Sequence, residues 1–394
     1  MRSAEASARK ILFLTGTRAD FGKLKPLMCA VEASPLYDCR LFVTGMHNLK
    51  LYGYTVEEVQ KNGFRHVHCF INQFVGEPME MVLANTIAGL SRYVHEEKPD
   101  MIVVHGDRVE ALAGAIVGAM QNILVGHIEG GERSGTVDEL IRHSVSKLSH
   151  LHFVANQEAA TRLLQMGEQR DHIYTIGSPD IDVMNSTNLP TIQAVKDHYE
   201  IPFENYGIAL FHPVTTESKE MRANAENFVE ALIQSKRNYV VVYPNNDEGT
   251  AHILEAYKRL EGLPNFAIFP SIRFESFLTL IKYSDFMIGN SSAGVREAPY
   301  YGLPSIDIGT RQRNRYMAES IIHCDYPTAS ILAAINSIPA ERTHVRDSYF
   351  GTGNSTEQFM QALAQPDFWK ISPQKQFHDL PMQNMFATKK ASNA

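Results

Sequence analysis

Short apolar runs alternate with longer amphipathic stretches along nearly the whole chain, and that rhythm admits few folds. Strands predicted at residues 11–14, 39–44, 101–104, 123–125, 152–155 and 172–176 are interleaved with helical stretches at about 21–33 and 85–96. This is the pattern of a parallel sheet covered by helices. A break follows, where Gly177-Ser178-Pro179 and residues 186–190 mix small, polar and proline residues as a linker does. The rhythm restarts with strands predicted at 206–211, 239–243, 266–269, 286–288 and 304–308. At 394 residues the chain exceeds what one hydrophobic core usually serves. The expected architecture is α/β, with two doubly wound halves: an N-terminal domain over 1–185 and a C-terminal domain over 186–365. The helical stretch from about 357 to 363 and the sequence after it are expected to turn back, with residues 366–394 packing on the first half.

Charge and composition narrow the function classes. The 37 basic and 44 acidic residues give a net charge of −7, which argues against a general nucleic-acid binder. A local basic pocket for a small anion remains open. The four cysteines have no C-x-x-C spacing, so reduced thiols in a cytoplasm are the plain reading. The first ten residues are small, polar and charged, with no apolar stretch behind a basic start, so no signal peptide is expected, and no run approaches the roughly 18 residues of a membrane helix. The tail 388–394 is expected to be disordered. The acids and histidines between His105 and Lys147 show no H-x-x-H or E-x-x-H spacing, so no metal is required there, and no cofactor is expected.

Chemistry concentrates between His105 and Lys147. The run Met101-Ile102-Val103-Val104 ends in His105-Gly106-Asp107-Arg108, and Ile123-Leu124-Val125 leads to His127-Ile128-Glu129-Gly130-Gly131-Glu132. Thr136-Val137-Asp138-Glu139 then starts a helix with acids in its first turn. In open α/β sheets ligands bind outside the carboxyl ends of the strands, where Asp107, Glu129 and Asp138 all fall. Each acid alone fits capping or ion pairing, Asp107 with Arg108 and Asp138 near Arg142. Three at neighbouring strand ends point to proton transfer, which needs acids whose pKa values are pushed apart.

Other strand ends carry anion-binding chemistry. Gly16-Thr17-Arg18 with Lys23 is either a basic turn in water or an anion site at a helix start. In Gly289-Asn290-Ser291-Ser292-Ala293-Gly294-Val295-Arg296-Glu297, small residues offer free N–H groups for a diphosphate. Ser292 is the expected cap there, and Glu297 could accept from ribose hydroxyls. His212 and Asn245 close two other strands of the second half, and Arg311 heads a basic loop at a third.

At these residues the chain resembles the hydrolysing UDP-N-acetylglucosamine 2-epimerases of bacterial sialic acid synthesis, over about residues 10–380. The resemblance rests on Gly16-Thr17-Arg18-Ala19-Asp20-Phe21-Gly22-Lys23, His105-Gly106-Asp107-Arg108, His127 to Glu132 and Thr136-Val137-Asp138. In the second half it rests on Phe211-His212-Pro213-Val214-Thr215-Thr216-Glu217, the Gly289–Glu297 run and Gly309-Thr310-Arg311-Gln312. It implies two Rossmann-like domains around a central cleft, the arrangement of the glycosyltransferase-B-like proteins. It implies conversion of UDP-N-acetylglucosamine and water to N-acetylmannosamine and UDP, by elimination to a 2-acetamidoglucal and hydration. Asp107, Glu129, Asp138 and His212 would be catalytic, without assignment of the base. Arg18, Lys23, Arg108, Asn245, Ser291, Ser292, Glu297 and Arg311 would bind the UDP-sugar. It also implies a cytoplasmic homo-oligomer, dimer or tetramer, without a cofactor, nucleic acid or membrane.

Rivals share the same cleft. Related enzymes act on a 2,4-diacetamido-6-deoxy or a GDP-linked sugar; the intact Thr17–Lys23 run favours the unmodified UDP-sugar. A retaining glycosyltransferase would need an acceptor channel rather than a cage of acids. A silent nucleotide-sugar sensor would tolerate loss of Asp107 and Glu129.

Overall fold

The computed structural model describes residues 8–339 and 345–380. The tail predicted at 388–394, the part of the returning segment 366–394 beyond residue 380 and residues 1–7 lie outside the described residues. Seven parallel strands form the first sheet: β1 (Arg9–Thr15), β2 (Tyr37–Val43), β3 (His66–Cys69), β4 (Met101–His105), β5 (Leu124–Ile128), β6 (Leu151–Val154) and β7 (Ile173–Thr175). Their order is β3-β2-β1-β4-β5-β6-β7, which reverses between β1 and β4. Six more make the second: β8 (Gly207–Leu210), β9 (Tyr239–Val242), β10 (Phe266–Phe269), β11 (Phe286–Gly289), β12 (Ser305–Ile308) and β13 (Ile321–Cys324). Their order, β10-β9-β8-β11-β12-β13, reverses between β8 and β11. At a reversal, successive helices go to opposite faces and leave a crevice at the carboxyl ends.

Alternation along the strands builds the cores. Ile11 and Phe13 enter one layer with Met28, Val103 and Phe153, while Leu12 and Leu14 enter the other with Ile102, Val104 and Val125. Both faces are covered, so the strands read as continuous apolar runs. In the second lobe Ala209 and Phe211 face one layer, and Ile208 and Leu210 the other. The strand pairing also aligns the chemistry. Val104 sits opposite His127 and His105 opposite Ile128, so Asp107 and Glu129 follow adjacent strand ends.

Three features depart from the sequence expectation. Strands β3 and β13 went unread because both are edge strands, mostly exposed or half-buried and carrying histidines, so neither shows an apolar run. The supposed linker holds the helix Pro179–Met184, with Pro179 at its first position and Asp180 fully buried. A serine followed by proline is a helix-start signal that the linker reading overrode. Finally, the stretch 357–363, expected to turn back, lies in the first lobe, so the second lobe ends before the boundary drawn at 365. The helix Ser355–Leu363 already places Phe359, Ala362 and Leu363 in the first lobe's core, where Phe368 joins them. Among the described residues no helix is long and apolar enough to cross a membrane.

Candidate active site

The two crevices face each other, and the cleft between the lobes is lined by all twelve residues singled out from the sequence. It starts at the turn after β1. Thr17 caps the helix Arg18–Ala33, its hydroxyl accepting from the Asp20 N–H at 3.2 Å while Asp20 accepts from the Thr17 and Gly16 N–H groups. This reciprocal cap fixes where Arg18 leaves the helix. Arg18 then spans the cleft, pairing with Glu58 at 2.9 Å and donating to Ser271 of the second lobe at 2.8 Å.

The three acids sit in unlike surroundings. Asp107 accepts from Arg142 and from the Ser134 hydroxyl at 2.6 Å. Burial opposes its charge, but Arg142, Arg315 and Ser134 hold it below the usual carboxylate range. Glu129 takes a left-handed backbone (φ 66°), a conformation that costs free energy outside glycine and recurs at functional sites. Its N–H donates to the Phe153 carbonyl and its own carbonyl accepts from Arg142. Its carboxylate meets Arg296 at 2.8 Å and His105 at 3.1 Å. Burial is again outweighed, and Arg296, His105 and Lys23 keep Glu129 well below its ordinary value. Asp138 differs. Among the described residues its one ion-pair partner is Arg311 at 3.0 Å, and burial together with the charge of Asp107 pushes it up to about 6. Two acids are held as anions, and the third is poised to exchange a proton near neutrality.

The second lobe supplies the opposite wall. Asn290 clamps the chain after β8 at both ends, accepting from the His212 N–H at 2.6 Å and donating to its carbonyl at 2.8 Å. His212 Nδ1 accepts the Asn245 N–H at 3.1 Å, which leaves the ring proton on Nε2. Burial, with Arg311 and Arg108 nearby, keeps that ring neutral well into acid. After β11, Ser291 rather than Ser292 is the cap, accepting from the Ala293 N–H. It caps a single 3₁₀ turn, Ser292–Gly294, followed by the four-residue helix Glu297–Tyr300. No longer helix follows directly, so an anion there would be held by local N–H groups and side chains.

Several expected partnerships are different. Asp107 pairs with Arg142 instead of Arg108, Asp138 with Arg311 instead of Arg142, and Arg108 with Glu110 at 3.3 Å. Lys23 does not offer itself to an anion at the helix start. It is buried among Glu297 at 3.0 Å, Asp180 at 3.3 Å and Glu129 at 3.9 Å. Burial works against its charge, yet these carboxylates hold its pKa above the ordinary value. Glu297 spends one oxygen on Lys23, while its buried Oε2 has no hydrogen-bond partner among the described residues.

Sequence reasoning missed Asp180, hidden in the supposed linker, and gave no site role to Arg142, to Arg315 or to Arg296 within the Gly289–Glu297 run. Arg315 donates to the Arg133 carbonyl at 2.8 Å and to Gln312 at 2.9 Å. Among the described residues no carboxylate lies within ion-pair distance of it, and burial with Arg142 beside it lowers its pKa. A guanidinium so placed suits an anionic ligand. Among the described residues no group of three or more His, Cys, Asp or Glu side chains is arranged to hold a metal ion.

Two doubly wound lobes closing on a charged cleft, with ligand chemistry at both strand-order reversals, define an α/β protein of glycosyltransferase-B-like fold. Residues 29–364 match the UDP-N-acetylglucosamine 2-epimerase family model, and the chain belongs to that family. It is 54% identical over 375 residues to the UDP-N-acetylglucosamine 2-epimerase of Neisseria meningitidis serogroup B, covering 94% of this chain and 99% of that one. It is 31% identical over 359 residues to the UDP-N,N'-diacetylbacillosamine 2-epimerase (hydrolyzing) of Legionella pneumophila, covering 90% and 95%. Among solved structures, a UDP-GlcNAc 2-epimerase from Neisseria meningitidis bound to UDP-GlcNAc superposes with a TM-score of 0.75 at 20% identity, over 90% of this chain and 99% of that one. At that identity the likeness is one of fold.

Proposed function

We propose that the chain is a hydrolysing UDP-N-acetylglucosamine 2-epimerase, taking UDP-N-acetylglucosamine and water to N-acetylmannosamine and UDP for sialic acid synthesis. The observation that carries this reading is the convergence of Asp107, Glu129 and Asp138 across the cleft from His212, Ser291 and Arg311. The 54% identical relative bears the matching substrate name, and the 31% identical one is named as hydrolysing.

The substrate's chemistry explains the unequal acids. The C2 hydrogen has no adjacent carbonyl and is barely acidic, so it leaves only as the C1–O bond to UDP breaks. UDP departs with that bond's electron pair, C1 gains positive character, and the C2–H electrons become the C1–C2 double bond. Asp138, near pH 6, is the group suited to take the C2 proton. Asp107 and Glu129, held as anions, stabilise the cationic C1. Arg18, Arg108, Arg311 and the Ser291–Ser292 turn face the departing diphosphate, with neutral His212 as a hydrogen-bond donor and Asn245 and Glu297 at the nucleoside. Water then adds its oxygen to C1 while a proton reaches C2 from the opposite face.

Product analysis tests this directly. Purified protein with UDP-N-acetylglucosamine should release free N-acetylmannosamine and UDP by NMR, with deuterium at C2 in heavy water and oxygen-18 at C1 in labelled water. UDP-N-acetylmannosamine as product would mean a non-hydrolysing enzyme, and retention of the original C2 hydrogen would rule out elimination. Nucleotide binding gives a second expected result. Arg311→Ala should weaken UDP binding by roughly 1.5–3 kcal/mol, the usual worth of a charge-assisted contact. Unchanged UDP affinity by calorimetry would remove Arg311 from the diphosphate site.

A further inference from the structure

Arg296 comes from the second lobe, yet its whole head is spent inside the first. Its NH2 group lies 2.8 Å from Glu129 Oε1 and also donates to the Ser178 hydroxyl. Its NH1 group bonds Glu132, its Nε faces Asp180 at 3.5 Å, and its guanidinium lies 4.2 Å from the ring centre of Phe350. The residue is 2% exposed. Lys23 makes the reciprocal crossing, from the first lobe to Glu297 beside Arg296. The lobes are thus cross-linked by two buried cations, Arg296 seated among carboxylates of the first lobe and Lys23 reaching Glu297 of the second.

The same turn carries the anion-binding serines. Arg296 N–H donates to the Ser292 carbonyl at 3.0 Å, so Arg296 is joined to the Ser291–Ser292 segment through one rigid turn. A Cβ at Gly294 would lie 2.5 Å from the Ser305 hydroxyl, so this turn is packed hard onto β12. Whatever seats the turn against a diphosphate also seats Arg296 against Glu129. A buried carboxylate without its cation is costly and gains a proton.

Resting on the function proposed above, we infer that Arg296 is a positioning residue: it holds Glu129 ionised and aimed at the sugar only when the diphosphate-binding turn is closed on the first lobe. The acid at C1 is thereby completed by the lobe that binds the leaving group. Glu129 is also faced by the His105 ring, by Lys23 and Arg142 as cations and by Glu132, Asp180 and Asp107 as acids. Arg296 is the nearest cation among these.

The test compares wild type with Arg296→Gln, Arg296→Lys, Glu129→Gln and the Arg296→Gln/Glu129→Gln double variant. Arg296→Gln should lose about 10²-fold in kcat while UDP affinity by calorimetry stays within about threefold. The acid limb of its pH–kcat profile, set near 6 by Asp138, should steepen and move up, because Glu129 now takes up a proton more readily and joins it. The double variant should be no slower than Glu129→Gln alone, since Arg296 acts through Glu129. Arg296→Lys keeps a cation in the cage, so it carries the test if the glutamine variant does not fold. It should recover part of kcat, with a smaller shift of the limb. An unmoved acid limb with additive losses would overturn the inference while leaving a crippled Glu129→Gln, and hence the proposed function, standing. Full turnover in Glu129→Gln would overturn both.

Discussion

Asp107→Asn, Glu129→Gln and Asp138→Asn should each lower turnover on the order of 10²–10⁴-fold, the usual contribution of a positioned acid or base. UDP affinity should change little, because the diphosphate is held mainly from the second lobe. The amides keep volume and most hydrogen bonding, so the losses report charge and basicity. The partial reactions sort the roles. Asp138→Asn should fail to eliminate UDP yet still hydrate synthetic 2-acetamidoglucal, whereas Glu129→Gln and Asp107→Asn should be slow in both steps. Near-full turnover in all three variants would make the cluster structural.

The same variants differ in how pH acts on them. Asp138 has its pKa raised from 3.8 to about 6 on folding, so the folded chain holds that proton more tightly than the unfolded one. Its stabilising contribution is complete below about pH 3.8 and is lost as pH rises through 6. At neutral pH the carboxylate is an expense that Asp138→Asn removes. Glu129 is the reverse case: its pKa falls on folding, so it stabilises above its unfolded value of 4.5 and the benefit is lost as pH falls through the lower folded one. At pH 8 Asp138→Asn should therefore melt no lower than wild type and Glu129→Gln should melt lower, by calorimetric scanning. The pH–kcat/KM profile of Asp138→Asn should also lack the acid limb near 6. Melting shifts of the same sign in both variants would contradict the unlike surroundings of the two acids.

What could be read from the chain follows from what each signal reports. The apolar runs of β1, β4, β5, β8 and β11 are visible because both faces of those strands are buried, and glycine or polar residues end each of them. Their carboxyl ends hold the candidate site, so Asp107, Glu129, His212 and Ser291 were readable by position alone. Partnerships were not. Arg142 lies thirty-five residues from Asp107, and Arg311 lies 173 from Asp138 in the other lobe. Local spacing suggested nearer partners, because it cannot report a pairing made by closing two lobes. Lys23 was misread for the same reason, its acids Glu297 and Asp180 being contributed by distant elements. The edges β3 and β13 lacked the two-sided burial that made the central strands visible.

Phe359→Ala should cost the first lobe about 3–5 kcal/mol, the range for emptying a buried aromatic site. Phe359 is fully buried, with its ring centre 4.8 Å from that of Phe153 and 6.5 Å from that of Phe13. It therefore fills space against β1 and β6, although it arrives from the end of the chain. The helix bearing it starts on Asp182, whose carboxylate accepts from the Ser355 and Thr356 N–H groups at 2.9 and 2.7 Å. Asp182 shares the short helix Pro179–Met184 with Asp180, which faces Lys23 and Arg296. Loosening Phe359 should thus reach the cleft as well as the core. The chain's single tryptophan, Trp369, lies in the same returning segment with its ring centre 6.2 Å from that of Tyr37. In a urea titration its emission should report release of the segment at a clearly lower midpoint in Phe359→Ala, with turnover falling at the same urea concentration. A midpoint equal to wild type would show that the returning helix rests on the lobe without helping to hold it together.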